Sequence, residues 1–484
     1  MKRTLTILAA ITLAAITANA QTLKKSVTWE KICANPVKLP LAGQIQPRES
    51  SLDAPSIWSV GCETMDRDYA HFEKFKQYVG QTGIGYARLQ SGWAKTEQVK
   101  GKYEFEWLDA HVDGLIEEGV HPWICLCYGN PVYSEHGHDL NAKLFADGAT
   151  MDAWLKYVKA VVKRYKGKVT MYEVWNEPDG NIDSYDLYAN LFARTAKVIR
   201  KTDPDAKIAA FGICSPERPY IRKALKKIAE MDAIKYMDYL TYHAYWPIPE
   251  NIQESVAGLK KDVAEYSASI RLLQGETGCP GQLEYGHAMC NNEWTEYSQA
   301  KWDLRNMLQH WGMDVPYSVF TMVDLNYGWM MQSYGLLRNN LYGDVQYMRP
   351  KFHAVQNVTS IFTPDLKPDG SITAESSCGR RIQCFGISKD GKNVGCMLWF
   401  SDHKPSDSLE REATAITLKG LRVASKDLVY VDMLSGGVYT IPELGRTHGA
   451  IGTDSISFGE LPLWDSPVLL IDKNCLDNVK YNNQ

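Results

Sequence analysis

The sequence predicts an α/β protein, a (β/α)8 TIM barrel followed by a C-terminal β-sandwich. Three observations predict it. From Pro55 to about Phe362, short apolar runs alternate with amphipathic ones, eight times over. After Phe362 that alternation stops, and short strand-like pieces separated by turn signals replace it. One of the strand-like runs, 169–174, delivers Trp175-Asn176-Glu177-Pro178, an acid beside an amide at a strand end, where barrels keep their chemistry.

The candidate barrel strands, in order, are 57–62, 86–90, 123–128, 169–174, 208–213, 239–243, 272–275 and 317–323. Each is followed by a run of helical period, at 68–79, 107–118, 151–165, 185–201, 220–231, 252–267, 297–311 and 352–361. Beyond them, Pro364, Pro368 and Asp369-Gly370 open a region of short strands at 381–387, 394–400, 414–418, 428–432 and 468–471. Turn signals such as Asp390-Gly391 and Ser435-Gly436-Gly437 separate these pieces. The expected division is a signal peptide at 1–20, an N-terminal segment at 21–54, a catalytic barrel at 55–362 and a β-sandwich at 363–484. The sandwich has two readings, a brace for the barrel or a carbohydrate-binding module.

Lys2 and Arg3 precede an apolar stretch, and Ala18-Asn19-Ala20 is a small-residue cleavage pattern, so the chain is expected to be exported, periplasmic or secreted, after cleavage behind Ala20. The net charge of −4 has no basic blocks, which disfavours nucleic acid and anionic membrane as partners, and no later stretch is apolar for long enough to span a bilayer. The 27 Tyr and 14 Trp suit sugar-stacking surfaces and large cores alike. Cys125 and Cys127, two apart in a strand-like run, read as core fillers, and no CxxC pair suggests zinc.

The string Trp175-Asn176-Glu177-Pro178 arises by accident in a chain of this length with odds on the order of one in a thousand. It resembles the acid/base motif of the clan A retaining glycoside hydrolases, and a barrel followed by a sandwich is most similar to family 39, which includes β-xylosidases and α-L-iduronidases. The resemblance implies that Asn176 binds the sugar 2-hydroxyl and that Glu177 protonates the leaving oxygen. It also implies a nucleophile at the end of strand seven, where the run at 272–275 ends in Glu276. In strand six, alternation points His243 and Tyr245 to one side. By the resemblance, Tyr245 hydrogen-bonds the nucleophile and His243 contacts substrate.

Arg88, at the end of strand two, is the residue expected to keep Glu276 ionised by Coulomb attraction. A satisfied polar layer inside the barrel is the alternative for Arg88, His243 and Tyr245. Glu173, four residues before Glu177, is expected deeper in the barrel as the partner of a buried cation. Trp329 has two readings, the floor under a pyranose ring or a core tryptophan, and Asn130 is expected to line the negative subsite. The His-rich loop Glu135-His136-Gly137-His138-Asp139 invites a metal reading, but the two carboxylates already supply the chemistry. No metal and no cofactor are expected.

The function expected is a secreted retaining glycosidase that cleaves equatorial, β-type bonds of an oligosaccharide or polysaccharide of plant or microbial origin. A non-catalytic carbohydrate-binding protein on the same barrel is the alternative. In an oxidising compartment Cys279 and Cys290 are close enough in sequence to pair, and such a link would fix the loop after strand seven as a wall of the groove. Two unlinked thiols are the other reading.

Overall fold

A computed structural model describes residues 23–482, apart from 140–144, 146, 181–183, 217, 424, 443–445 and 449–454. The region read as a signal peptide lies outside the described residues. Eight parallel strands close into a barrel: Trp58–Gly61, Tyr86–Gln90, His121–Leu126, Met171–Val174, Lys207–Ile213, Tyr239–Tyr242, Arg271–Thr277 and Tyr317–Val319. Closure is direct, since Val60 pairs with Ala87 on one side and with Val319 on the other. The fold class expected from the sequence is therefore the one observed.

The helices form where the apolar spacing put them. Gly148–Tyr165 is typical: Met151, Trp154, Tyr157, Val158, Val161, Val162 and Tyr165 recur at three- and four-residue steps and are buried. Its N-terminus is capped by the Asp147 carboxylate, which accepts from the backbone N–H groups of Ala149 and Thr150, a contact of about 1 kcal/mol. Glu296–Gly312, after strand seven, begins in a capping box between Thr295 and Ser298.

The first helical run departs from expectation. It is reduced to the short pieces Phe72–Lys74 and Lys76–Val79, because Asp68 is left-handed, His71 is extended and Phe75 leaves helical angles at φ −129°. The third and eighth strands also stop early, at Leu126 and Val319. Beyond them the backbone leaves the ladder, the Cys127 carbonyl accepting from Gly92 N and Phe320 N donating to the Thr277 carbonyl.

The C-terminal region forms an eight-stranded and a four-stranded antiparallel sheet. The larger sheet recruits the N-terminal segment: Leu41–Ile45 pairs with Gly437–Thr440 on one edge and with Val479–Tyr481 on the other. A buried hydrogen bond and a buried ion pair then fasten this layer to the barrel around the helix Glu296–Gly312. Arg305 grips Glu250 through two nitrogens, and the Trp399 indole N–H donates to the same carboxylate at 2.6 Å. Lys301 pairs with Asp465 at 2.6 Å, its ammonium over the Trp464 ring. Removing one partner of such a pair costs about 3–5 kcal/mol, because the other charge is left buried. The sandwich is thus held rigidly against the barrel's seventh unit, the one that carries Glu276.

Candidate active site

Strand four ends in a backbone distortion that sets Glu177. Trp175 and Glu177 have φ of 72° and 52°, a region that costs a non-glycine residue on the order of 1 kcal/mol or more. Two hydrogen bonds hold them there, Trp175 N to the Leu126 carbonyl at 3.1 Å and Glu177 N to the Gly212 carbonyl at 2.7 Å. The Glu177 side chain consequently stands 35% exposed in the barrel mouth, while Asn176 between the two distorted residues is buried.

Arg88, fully buried inside the barrel, organises the rest. Its Nε and Nη2 donate to Glu173 Oε2 at 3.0 and 2.6 Å, Nη2 also to Asn176 Oδ1 at 2.8 Å, and Nη1 to Glu276 Oε2 at 2.8 Å. Asn176 donates in turn to the Tyr128 hydroxyl at 2.9 Å. Glu173 therefore partners a buried cation. One guanidinium ties the amide of the strand-four motif to the carboxylate at the end of strand seven.

Glu276 takes a second contact from the Tyr245 hydroxyl, at 2.7 Å. Burial alone would raise its pKa, but the charges of His243 and Arg88, together with the hydrogen bonds from Tyr245 and Arg88, outweigh burial and hold it below the ordinary carboxylate value. His243 sits between the two acids, Nδ1 donating to Glu177 Oε1 at 2.8 Å and lying 3.8 Å from Glu276 Oε1. Burial works against its charged form, yet the Glu276 charge and the Glu177 contact lift its pKa above the usual imidazole value. Its Nε2 is buried without a hydrogen-bond partner among the described residues. The resemblance gave His243 a substrate contact; its observed partner is Glu177.

Ligand atoms of Glu177, His243 and Glu276 all lie within 4.8 Å of one another. The trio is a poor cation site. Its donor atoms are engaged with each other and with Tyr245, and the Arg88 charge rests against Glu276. The His-rich loop is at the surface, where His136 meets Asp139 at 3.2 Å and is half exposed.

Asn176, Glu177, Tyr245 and Glu276 line a cavity of about 330 Å³ together with Phe320 and Tyr327, while Arg88 and His243 are buried behind them. A second cavity, of about 270 Å³, opens at the other end of the barrel among Ser56, Tyr86, Thr170, Lys207 and Arg271, and holds no carboxylate. From the loop Tyr128-Gly129-Asn130-Pro131, read as lining the negative subsite, Tyr128 does line the catalytic cavity, whereas Glu63, Arg67, Gln90, His287, Tyr327 and Gln332 were missed. Glu63 is the most consequential. It follows the first strand, is buried, and its Oε1 accepts from Arg88 Nη1 at 3.2 Å. Burial, with the Glu276 charge adding to it, pushes its pKa up to about 7 against the pull of Arg88. A carboxylate directly after a strand-like run was the available signal, the same one that marked Glu276.

One expectation is corrected and two pairs of readings are narrowed. Trp329 is not a core residue: it stands 70% exposed between the two short strands Leu325–Asn326 and Met331–Gln332, stacked at 5.3 Å on the ring of His287, which lines the cavity. Asn130 does not line the cavity; its amide donates to the Glu97 carbonyl at 2.8 Å and its Oδ1 accepts from Val132 N at 3.0 Å, bracing its own loop. Cys279 and Cys290 are free thiols. Cys279 is packed with Met289, Trp294 and Trp302, and the loop is held by other bonds, Trp294 Nε1 to the Met289 carbonyl at 2.9 Å and Asn291 N to the Glu284 carbonyl at 2.8 Å.

Residues 68–269 match the family model described as glycosyl hydrolases family 39, a span that contains Arg88, Asn176, Glu177, His243 and Tyr245 and stops short of Glu276. Among solved structures, a family 39 glycoside hydrolase from Bacteroides cellulosilyticus WH2 is 17% identical with a TM-score of 0.59, over 89% of this chain and 82% of that one. A monomeric β-xylosidase from Caulobacter crescentus CB15 is 15% identical with a TM-score of 0.56, over 89% and 97%. A family 39 enzyme from Xanthomonas axonopodis pv. citri is 16% identical with a TM-score of 0.54, over 89% and 95%. At these identities the structural likeness establishes the fold. No curated protein sequence matches this chain.

Proposed function

We propose that this family 39-like glycoside hydrolase cleaves equatorial, β-type glycosidic bonds with retention, by double displacement between Glu276 and Glu177. The observation that carries the reading is the spacing of the two acids, whose carboxylate oxygens approach within 4.8 Å across the cavity. Retaining enzymes hold their pair about 5–5.5 Å apart, whereas inverting ones need about 6.5–9.5 Å to admit a water.

In the first step Glu276 attacks the anomeric carbon while Glu177 gives its proton to the departing oxygen. Arg88 and Tyr245 keep the attacking carboxylate ionised and aimed. In the second step Glu177, now a base, takes a proton from water, which attacks the same carbon and releases a sugar of unchanged configuration. His243, anchored between the two acids, steadies Glu177 through both steps. Asn176, gripped by Arg88 and by its own bond to Tyr128, is the group placed to meet the sugar 2-hydroxyl.

The substrate class that fits is an oligosaccharide or polysaccharide of plant or microbial origin, and the β-xylosidase among the similar structures makes a xyloside the first to try. Export is part of the proposal, supported by the Lys2-Arg3 and Ala18-Asn19-Ala20 patterns. The test is a panel of aryl xyloside, galactoside, glucoside, mannoside and arabinoside, with the first-formed anomer read by NMR. Retention supports the reading. Inversion overturns the mechanism, and no turnover of any glycoside favours a carbohydrate-binding protein instead.

A further inference from the structure

Glu63 is a third acid in the cavity that the double displacement does not use. It lines the same cavity as Glu177 and Glu276, yet is only 2% exposed. A role as counter-ion does not account for it, since Arg88 already has Glu173 at 2.6 Å and Glu276 at 2.8 Å. A further buried carboxyl beside two others is electrostatically unfavourable.

Its hydrogen bonding is also incomplete. Oε1 takes Arg88 Nη1 at 3.2 Å. Oε2, apart from the residue's own backbone amide, meets the Thr321 hydroxyl at 3.5 Å, and that hydroxyl's single proton is directed to the Gly61 carbonyl at 2.7 Å. The carboxyl nonetheless occupies a prepared place. It folds back over the first strand, where a Cβ on Gly61 would lie 2.0 Å from Oε2. Only glycine at 61 leaves it room.

We propose that Glu63 is a specificity-determining residue whose carboxyl hydrogen-bonds the 3- or 4-hydroxyl of the glycone, the sugar whose anomeric carbon reacts. The inference rests on the glycosidase reading above. Asn176 and Glu63 bind different ends of the Arg88 guanidinium, Nη2 and Nη1, so the 2-hydroxyl at Asn176 leaves Glu63 for a hydroxyl further around the ring. With its pKa near 7, the carboxyl both accepts and donates in the neutral range, as a hydroxyl does. The ligand class is a neutral, hydroxylated glycone, because a carboxylate or sulfate on the sugar here would face Glu63 and Glu276 together.

The experiment takes the aryl glycoside turned over fastest in the panel and compares it with its 3-deoxy and 4-deoxy analogues, in wild type, Glu63→Ala and Glu63→Gln. Loss of a hydrogen bond to a charged group is expected to cost wild type about 10- to 100-fold in kcat/KM for one of the two analogues. The same deletion should cost Glu63→Ala less than about 3-fold, since the partner is already gone. Glu63→Gln, which keeps the shape, should give an intermediate loss and carries the test if the alanine variant does not fold. Gly61→Ala, which displaces the carboxyl without changing it, should behave like Glu63→Ala. Equal losses in wild type and variants overturn the proposal. Failure of wild type on every glycoside overturns the underlying glycosidase reading instead.

Discussion

His243 donates its Nδ1 proton to Glu177 at 2.8 Å from a position with no solvent exposure. The acid that must gain and lose a proton in each cycle is therefore coupled to a base whose own pKa is raised by the same cluster of carboxylates. Retention of a proton on this pair is what the first chemical step requires, and it should govern how activity varies with pH.

The pH profile is expected to be bell-shaped. Glu276 must be ionised, and its pKa lies below the ordinary 4.5, so the acidic limb falls below that value. His243 has a pKa above the ordinary 6.5, so its proton is kept through that pH and lost as pH rises past the raised value. In His243→Asn, the alkaline limb should move and kcat should fall, as read from kcat and kcat/KM profiles. An unchanged alkaline limb would separate His243 from the ionisation.

Glu177→Ala should lose about 100- to 10,000-fold on glycosides with poor leaving groups and keep the first step on activated ones, since a good leaving group needs no proton. Azide should restore turnover and yield a glycosyl azide of retained configuration. Equal loss on both kinds of substrate, without azide rescue, removes Glu177 from this role.

Glu276 should be the residue labelled by a 2-fluoro glycoside of the accepted sugar, found by peptide mapping of the trapped enzyme. An adduct on Glu63 or Glu177 would refute the assignment.

Arg88→Ala should destabilise the fold by about 3–5 kcal/mol, because it leaves Glu173 buried without its cation. Denaturant unfolding measures this. A midpoint equal to wild type would mean that Glu173 is neutral and that Arg88 serves the mouth of the barrel alone.

Much of this architecture was legible as periodicity. The helix expected at 185–201 is Tyr185–Thr202, and the strand expected at 86–90 is Tyr86–Gln90, because burial on one face is written locally in the spacing of apolar residues. What was not legible depends on distant partners or on backbone angles. Leu41–Ile45 joins strands some 400 residues further on, which no local pattern announces. The first helix broke at a left-handed Asp68. In the site, Glu177 stood out through its motif and Glu276 because the resemblance points to the end of the seventh strand, whereas nothing pointed to the end of the first, where Glu63 lies. The sequence could not choose between floor and core for Trp329, because exposure of a loop side chain is decided by how the loop folds, not by the residue type.

Glu63, Glu173 and Glu276 gather on one guanidinium, and Glu276, held ionised, faces the cavity opposite Glu177. A carboxylate so placed is tuned to a cation that exists only in passing. The glycosyl group acquires positive character as the bond to the leaving oxygen stretches, and its attraction to Glu276 grows as it does. The same ionised Glu276 should favour a small polyol with a positive charge in place of the ring oxygen: a protonated iminosugar would reproduce the fleeting species and stay.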